Sequence, residues 1–94
     1  MKEPNEELAH EFSELWPEIQ NEFHHDTREK IKRGMEIKLK KSAAKARDSR
    51  SRHAIGYILF YVAENVYIKS GLAPKTDKEI KNIIMLSRIS KSQT

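Results

Sequence analysis

The stretch AIGYILFYVAENVYIKSG, residues 54–71, contains the longest apolar run in the chain and predicts its central element. At about 100° per residue it is apolar on nearly every side, which is typical of a helix enclosed in a bundle or an oligomer. The run is interrupted by Glu64 and Asn65, and it is too short to span a bilayer. Gly71 stands where a C-terminal glycine belongs. We therefore expect a central helix over about 50–70.

The packing surfaces of this helix can be predicted from its periodicity. Gly56 and Ala63 form a strip of small residues on which a second helix could pack closely. The predicted core face consists of Ile55, Leu59, Val62 and Val66.

The segment that follows, GLAPKTDKE at residues 71–79, predicts a turn and then a fourth helix over about 77–89. Thr76 can cap that helix while Glu79 completes a capping box. We expect the tail, residues 90–94, to fray. The residues predicted to face inward are Ile80, Ile83 and Ile84, with Met85 or Leu86.

Before the central helix, residues 48–51 (DSRS) offer a cap and predict a break from a second helix over about 27–47. The alternative is one helix over 27–70, because no proline interrupts it. Asp26 with Glu29 has capping-box spacing for the second helix. Its narrow apolar stripe is predicted to be Ile31, Met35 and Leu39.

A first helix is predicted over about 5–24. Pro17 falls inside it, so the helix either kinks or restarts there. Its aromatic residues suit the core of the domain, although an amphipathic helix could instead dock into a partner's groove. The apolar face is predicted to be Leu8, Phe12, Leu15, Trp16, Ile19 and Phe23.

These elements predict an all-α, small four-helix domain that occupies residues 1–94, with the apolar third helix at its centre. So short a chain has difficulty covering that helix alone, so we expect an oligomer, with a homodimer the simplest case. The chain contains no cysteine, which excludes disulfides and thiolate metal sites. No signal peptide is recognisable, and we expect a soluble cytoplasmic protein.

The net charge of +4 conceals a strong segregation of charge. Residues 1–26 carry one Lys against eight acids, whereas residues 27–53 carry eleven Lys or Arg against three acids. Residues 54–94 carry six against three. This pattern has two interpretations: the basic block binds an anionic partner, or the acidic and basic blocks face each other.

The junction before the third helix is the predicted phosphate site. Free N–H groups at a helix N-terminus combine with nearby cations to attract anions. Tyrosines beside arginines can also stack on bases, as in single-strand binders. The residues predicted to supply affinity are Lys38, Lys41, Lys45, Arg47, Arg50 and Arg52. Those predicted to stack or orient are His53, Tyr57 and Tyr61.

Other chemistries have weaker signals. The connection GLAPKT is longer than a usual helix-turn-helix turn, and the basic second helix is too alanine-rich to insert into a membrane. The four histidines lack the spacing of a zinc site, although His25 and Glu22 could assist a weak surface site. Enzyme motifs are missing from the sequence, and Glu64 is predicted to pair with a lysine of another helix. We predict no catalysis, no cofactor and no metal.

The sequence thus predicts a small basic helical regulatory protein that binds nucleic acid, DNA or RNA, mainly through phosphates. The alternative is a protein–protein interaction module, a homodimeric adaptor or an inhibitor of another protein. In that case its acidic and basic helices pair with each other or with a protein target.

Overall fold

In a computed structural model, the described backbone, residues 4–41 and 49–92, forms four α-helices. Side chains are described for residues 8–41 and 53–86. The helices are α1 (Pro4–Ile19), α2 (Arg28–Lys41), α3 (Ser49–Lys69) and α4 (Asp77–Ser92). Two short 3-10 turns, Gln20–Glu22 and His25–Thr27, connect α1 to α2. The predicted all-α, four-helix fold is confirmed.

α1 runs without interruption past Pro17 and ends two residues later, at Ile19. The chain then tightens into the first 3-10 turn, so the predicted helix to residue 24 ends earlier as an α-helix. The rings of Phe12, Trp16 and Phe23 are buried. The Trp16 ring lies between the other two, with its centroid 5.5 Å from that of Phe12 and 5.7 Å from that of Phe23. These aromatic residues are therefore the domain's own core, and their docking into a partner is excluded.

α2 begins at Arg28, but the turn that leads into it does not form the predicted capping box at Asp26. The N–H of Asp26 donates to Nδ1 of His24, and the hydroxyl of buried Thr27 donates to the carbonyl of His24. The N–H of His24 in turn donates to the Tyr67 hydroxyl at 2.8 Å, which fastens this turn to α3. The predicted capping role of Asp26 is wrong because the His24 imidazole supplies the acceptor.

The core lies where the four apolar faces meet, with α3 in contact with the other three helices. The predicted stripe of α2 is completely buried, and so are Ile55 and Leu59 of α3. In α4, Ile80, Ile83 and Ile84 face inward as predicted, whereas Met85 and Leu86 are exposed. The prediction for Met85 or Leu86 is wrong because the inner face of α4 is already filled by its three isoleucines.

α2 and α3 are two helices packed side by side. A methyl group in place of the Gly34 hydrogen would lie 2.8 Å from Cγ1 of Val62. Because a straight helix would hold these positions about 42 Å apart, the contact excludes one continuous helix over 27–70. The predicted end of the second helix, residue 47, and Asp48 lie outside the described residues, while Ser49–Ser51 already belong to α3.

The turn between α3 and α4 follows the prediction closely. Gly71 has φ +75°, and the N–H groups of Gly71 and Leu72 donate to the carbonyls of Ile68 and Tyr67. This pattern is a Schellman motif, whose left-handed residue glycine adopts without steric cost. α4 continues to Ser92, three residues beyond its predicted end, and residues 93–94 lie outside the description.

The predicted capping box of α4 is confirmed in both directions. The N–H of Glu79 donates to the Thr76 hydroxyl at 3.2 Å, and the N–H of Thr76 donates to the Glu79 carboxylate at 2.9 Å. The hydrogen bond from the Thr76 backbone is the main reason that the pKa of Glu79 lies below its usual value. The box fixes the start of α4 and so positions its outer face beside α3.

Candidate functional site

The cations of α2 and the start of α3 lie at the same end of the molecule. The short connection between the two helices makes them antiparallel neighbours, in register at Gly34 and Val62. Lys38 and Lys41, in the last turns of α2, are exposed, and so is His53 near the start of α3. We call this the cationic end.

Four of the predicted phosphate-binding residues belong to the same region by sequence. Lys45 and Arg47 lie outside the described residues, in the segment that joins α2 to α3. Arg50 and Arg52 belong to the first turn of α3, and their side chains lie outside the description. In the chain, all four therefore lie between the described residues Lys41 and His53.

Two ion pairs between described side chains of α2 and α4 are local ones. Arg33 pairs with Glu29 at 3.2 Å, and Lys81 pairs with Asp77 at 3.1 Å, each one helical turn apart and exposed. Such pairs add little stability in water. Neither Lys38 nor Lys41 forms an ion pair with another residue of the described ranges. Their ammonium groups are therefore open to solvent and to an anionic ligand.

The predicted tyrosines are exposed and touch each other. The rings of Tyr57 and Tyr61 lie 5.0 Å apart at 69°, an edge-to-face contact. Their hydroxyls share a hydrogen bond of 3.3 Å. This bond to Tyr57 raises the pKa of Tyr61 above its ordinary value. The two side chains thus form one aromatic unit on the outer face of α3.

The tyrosines line an open groove between α3 and α4, with a volume of about 650 Å³. Phe60 adds a half-buried ring to the α3 wall, and Lys81 and Met85 line the α4 wall. At the floor, Gly56 allows Cδ1 of Ile84 to approach. Sequence reasoning missed Phe60, Lys81 and Met85 as members of this surface. The available signal was the width of the apolar sector of α3, which exceeds what one core face requires.

The two ends of the groove differ in their polar side chains. α3 and α4 are antiparallel, so Asp77 in the first turn of α4 lies toward the second half of α3, where the half-buried Glu64 stands. His53 lies at the opposite end of the groove. Glu64 forms no ion pair with another described residue, so the predicted bridge to a lysine of a different helix is not formed there.

The histidines of the α1–α2 turn form a separate polar cluster. His24 and His25 stack at 4.7 Å, and Nε2 of His25 lies 3.0 Å from Asp26. Potential ligand atoms of His24, His25 and Asp26 lie within 4.8 Å of one another, whereas the sequence suggested Glu22 as the companion of His25. Because Nδ1 of His24 already accepts the Asp26 N–H, the cluster has a structural role in capping this turn.

Comparison of the chain with protein-family models, curated proteins and solved structures found no match. Within the described ranges, none of the helices has the length and apolar character needed to cross a membrane. The functional argument therefore depends on the chemistry of the cationic end and the groove.

Proposed function

We propose that this protein is a small, non-catalytic, cytoplasmic regulatory protein that binds nucleic acid phosphates through its cationic end. The observation that carries the proposal is the antiparallel packing of α2 and α3 at Gly34 and Val62. This packing gathers exposed lysines of α2 and the start of α3 at one end. Clustered Lys and Arg neutralise phosphates and release counterions, which supplies sequence-independent affinity.

The charge of the helices supports the same surface. α2 carries seven Lys or Arg against two Glu, whereas α1 carries five Glu and neither Lys nor Arg. In this proposal Lys38 and Lys41 contact phosphates together with Lys45, Arg47, Arg50 and Arg52. His53, Tyr57 and Tyr61 orient or stack on bases, and since phosphate contacts dominate, sequence specificity is modest.

A salt titration tests the proposal with paired lysine variants. Binding of a fluorescent duplex and of a fluorescent single strand is measured by anisotropy at increasing salt. We expect log K to fall linearly with log salt, with a slope of about −0.9 for each phosphate neutralised on duplex DNA. Lys38→Ala with Lys41→Ala should weaken binding and make this slope shallower by about 2.

The matched control is Lys30→Ala with Lys32→Ala, which removes the same charge from exposed positions at the opposite end of α2. This control should retain most of the affinity. If the wild-type chain does not bind at low salt, the proposal is wrong. If both double variants lose the same nucleic acid affinity, binding depends on the total charge of α2 and not on the cationic end.

A protein–protein interaction module, including a homodimer, is the second candidate. The observation that favours it is the set of large apolar side chains exposed on the outer faces of α3 and α4. Exposed apolar side chains that lie close together are typical of a surface that binds another protein. The members of this set are Tyr57, Tyr61, Ile68, Met85 and Leu86.

A further inference from the structure

We infer that the groove between α3 and α4 is the contact between two copies of this chain, related by a two-fold axis with their α3 helices antiparallel. This inference specifies the partner for the second candidate function. It leaves the lysines of α2 available for phosphates but covers Tyr57 and Tyr61, so the dimer and the proposed stacking of these two rings on bases exclude each other. It differs from a dimer in which the acidic α1 of one copy covers the basic α2 of the other.

The apolar content of the groove face is the first argument. Tyr57, Met85 and Tyr61 expose 62%, 58% and 47% of their surface. Together with Phe60, these aromatic and methionine side chains are the residue types enriched at the centres of protein interfaces. By contrast, the outer surface of α2 is almost entirely charged, and only Ile37 is an exposed large apolar residue there.

The placement of polar side chains along the groove is the second argument, and it identifies the occupant as a second copy. His53 stands at one end, and Glu64 stands three turns further along α3, about 16 Å away by helical rise. Asp77 lies at the Glu64 end. A two-fold axis beside Tyr57 and Phe60 would bring His53 of one copy opposite Glu64 of the other. A contact between identical surfaces requires this self-complementarity.

An anionic partner fits this surface less well. A nucleic acid strand lying along the groove would meet the Glu64 carboxylate, and an acidic peptide would meet the same repulsion. Asp77 adds little to this repulsion, because Lys81 in the groove pairs with it at 3.1 Å. A second copy instead places the His53 imidazole opposite Glu64. The Glu64 carboxylate, which has no ion partner among the described residues, would then gain a hydrogen-bond partner.

The size of the face sets the expected strength of the dimer. A standard interface takes about 800 Å² from each partner. This is roughly one-eighth of the 6493 Å² accessible surface of the chain. The groove face is limited to about three turns of two helices, so the area that it can bury is at most about the 800 Å² of a standard interface. We therefore expect a dimer that dissociates in the micromolar range.

The test measures solution mass by sedimentation equilibrium over low to high micromolar concentration. The wild-type chain should approach twice its 11.0 kDa as concentration rises. Tyr57→Glu places a charge at the centre of the face and should weaken dimerisation about tenfold or more. The matched control is Ile37→Glu, the same change at a 57% exposed residue of α2, and it should dimerise like the wild type.

A charge reversal tests the predicted register. His53→Asp places two carboxylates opposite each other and should weaken the dimer several-fold. Adding Glu64→Lys to that variant should restore it. Circular dichroism confirms that each variant folds. A wild-type chain that remains monomeric at the highest concentration overturns the inference, and so does a Tyr57→Glu variant that dimerises normally.

Nucleic acid binding by the same variants separates this inference from the proposed function. A monomeric Tyr57→Glu variant supports the dimer contact, while the Lys38→Ala with Lys41→Ala variant, which leaves the groove unchanged, tests the phosphate contact separately. A dimeric wild-type chain without nucleic acid affinity supports the dimer and rejects the phosphate-binding function. A Tyr57→Glu variant that remains dimeric but loses affinity for single strands overturns the dimer contact and assigns the tyrosines to bases.

Discussion

α3 meets α2 across Gly34 and meets α4 across Gly56, and the two contacts differ in what surrounds the glycine. At Gly34, the nearest atom to an added methyl would be Cγ1 of Val62, at 2.8 Å. At Gly56, it would be Cδ1 of Ile84, at 3.2 Å. Valine is branched at Cβ and has little rotamer freedom in a helix, whereas the end of an isoleucine side chain can move. The α2–α3 contact is therefore tight and rigid, and the α3–α4 contact is adaptable.

The surfaces next to the two contacts also differ: one is charged and the other is apolar. Beyond Gly34, the outer surface of α2 consists mainly of solvated charges. Beyond Gly56 lies the groove with its exposed aromatic rings. This comparison indicates a division of labour: the α2–α3 contact fixes the geometry of the domain, and the α3–α4 contact provides an apolar binding surface.

The largest expected effect comes from adding a methyl group at Gly34. Gly34→Ala improves helix propensity by about 1 kcal/mol, but overpacking against Val62 costs about 1–3 kcal/mol. We expect a net loss in the free energy of unfolding of up to about 2 kcal/mol, measured by urea denaturation. Because Val62 is buried, Val62→Ala has its own cost, so the clash is read from a double-mutant cycle: Gly34→Ala should cost less in a Val62→Ala background than in the wild type.

Gly56→Ala is the matched comparison. The movable end of Ile84 can yield by a few tenths of an ångström, so the gain in helix propensity should leave stability unchanged or raised. If both alanine variants lose equal stability, the proposed difference between the two contacts is incorrect.

The capping box of α4 gives an intermediate effect. Thr76→Ala removes the acceptor for the Glu79 N–H and should lower the free energy of unfolding by about 1 kcal/mol at neutral pH. Glu79→Gln should have an effect that depends on pH, because the pKa of Glu79 is lowered in the folded state mainly by the backbone N–H of residue 76, which Thr76→Ala keeps. The stabilisation is present above the unfolded pKa, about 4.3, and is lost as pH falls through the folded value.

Denaturation of the wild type, Thr76→Ala and Glu79→Gln at neutral and acidic pH measures this contribution. The difference between the wild type and Glu79→Gln should shrink as the pH falls. A difference that is constant with pH would show that the Glu79 carboxylate does not stabilise the start of α4 through its charge.

The smallest expected effect concerns the tyrosine pair in the groove. Tyr57→Phe removes the hydroxyl that raises the pKa of Tyr61, so the pKa of Tyr61 should fall toward about 10. Phe60→Leu is the control, since its ring contacts Tyr61 without a hydroxyl and should leave this pKa unchanged. NMR titration of ring-labelled tyrosine measures both variants. The pair's contribution to stability is present below the unfolded pKa and is lost as pH rises through the raised value.

Periodicity was sufficient to predict most of the core. The inner faces of α1 and α2 and the three isoleucines of α4 were correctly predicted, since each helix has one apolar sector bounded by polar residues. The α4 capping box and Gly71 were also predictable, because local backbone geometry requires those residue types. Prediction was wrong at Met85 and Leu86, where the apolar sector is wider than the face that the core can cover.

Other features depend on contacts between segments distant in sequence. No local pattern predicts that the N–H of His24 donates to Tyr67, or that the His24 imidazole replaces Asp26 as the capping acceptor. The candidate site shows the same limit. The lysines of α2 were predictable as a basic stripe, whereas the groove of Tyr57, Phe60 and Met85 combines side chains of α3 and α4, which are brought together only by tertiary packing.

Local sequence was enough to specify the helical class, the buried faces of α1 and α2, the turn at Gly71 and the segregation of charge along the chain. These properties follow from periodicity, capping and composition, which act over a few residues. By contrast, the packing of separate helices brings Gly34 against Val62 and leaves Tyr57 and Tyr61 of α3 exposed beside α4. Those outcomes depend on how side chains from separate helices share space, which spacing within one helix does not specify.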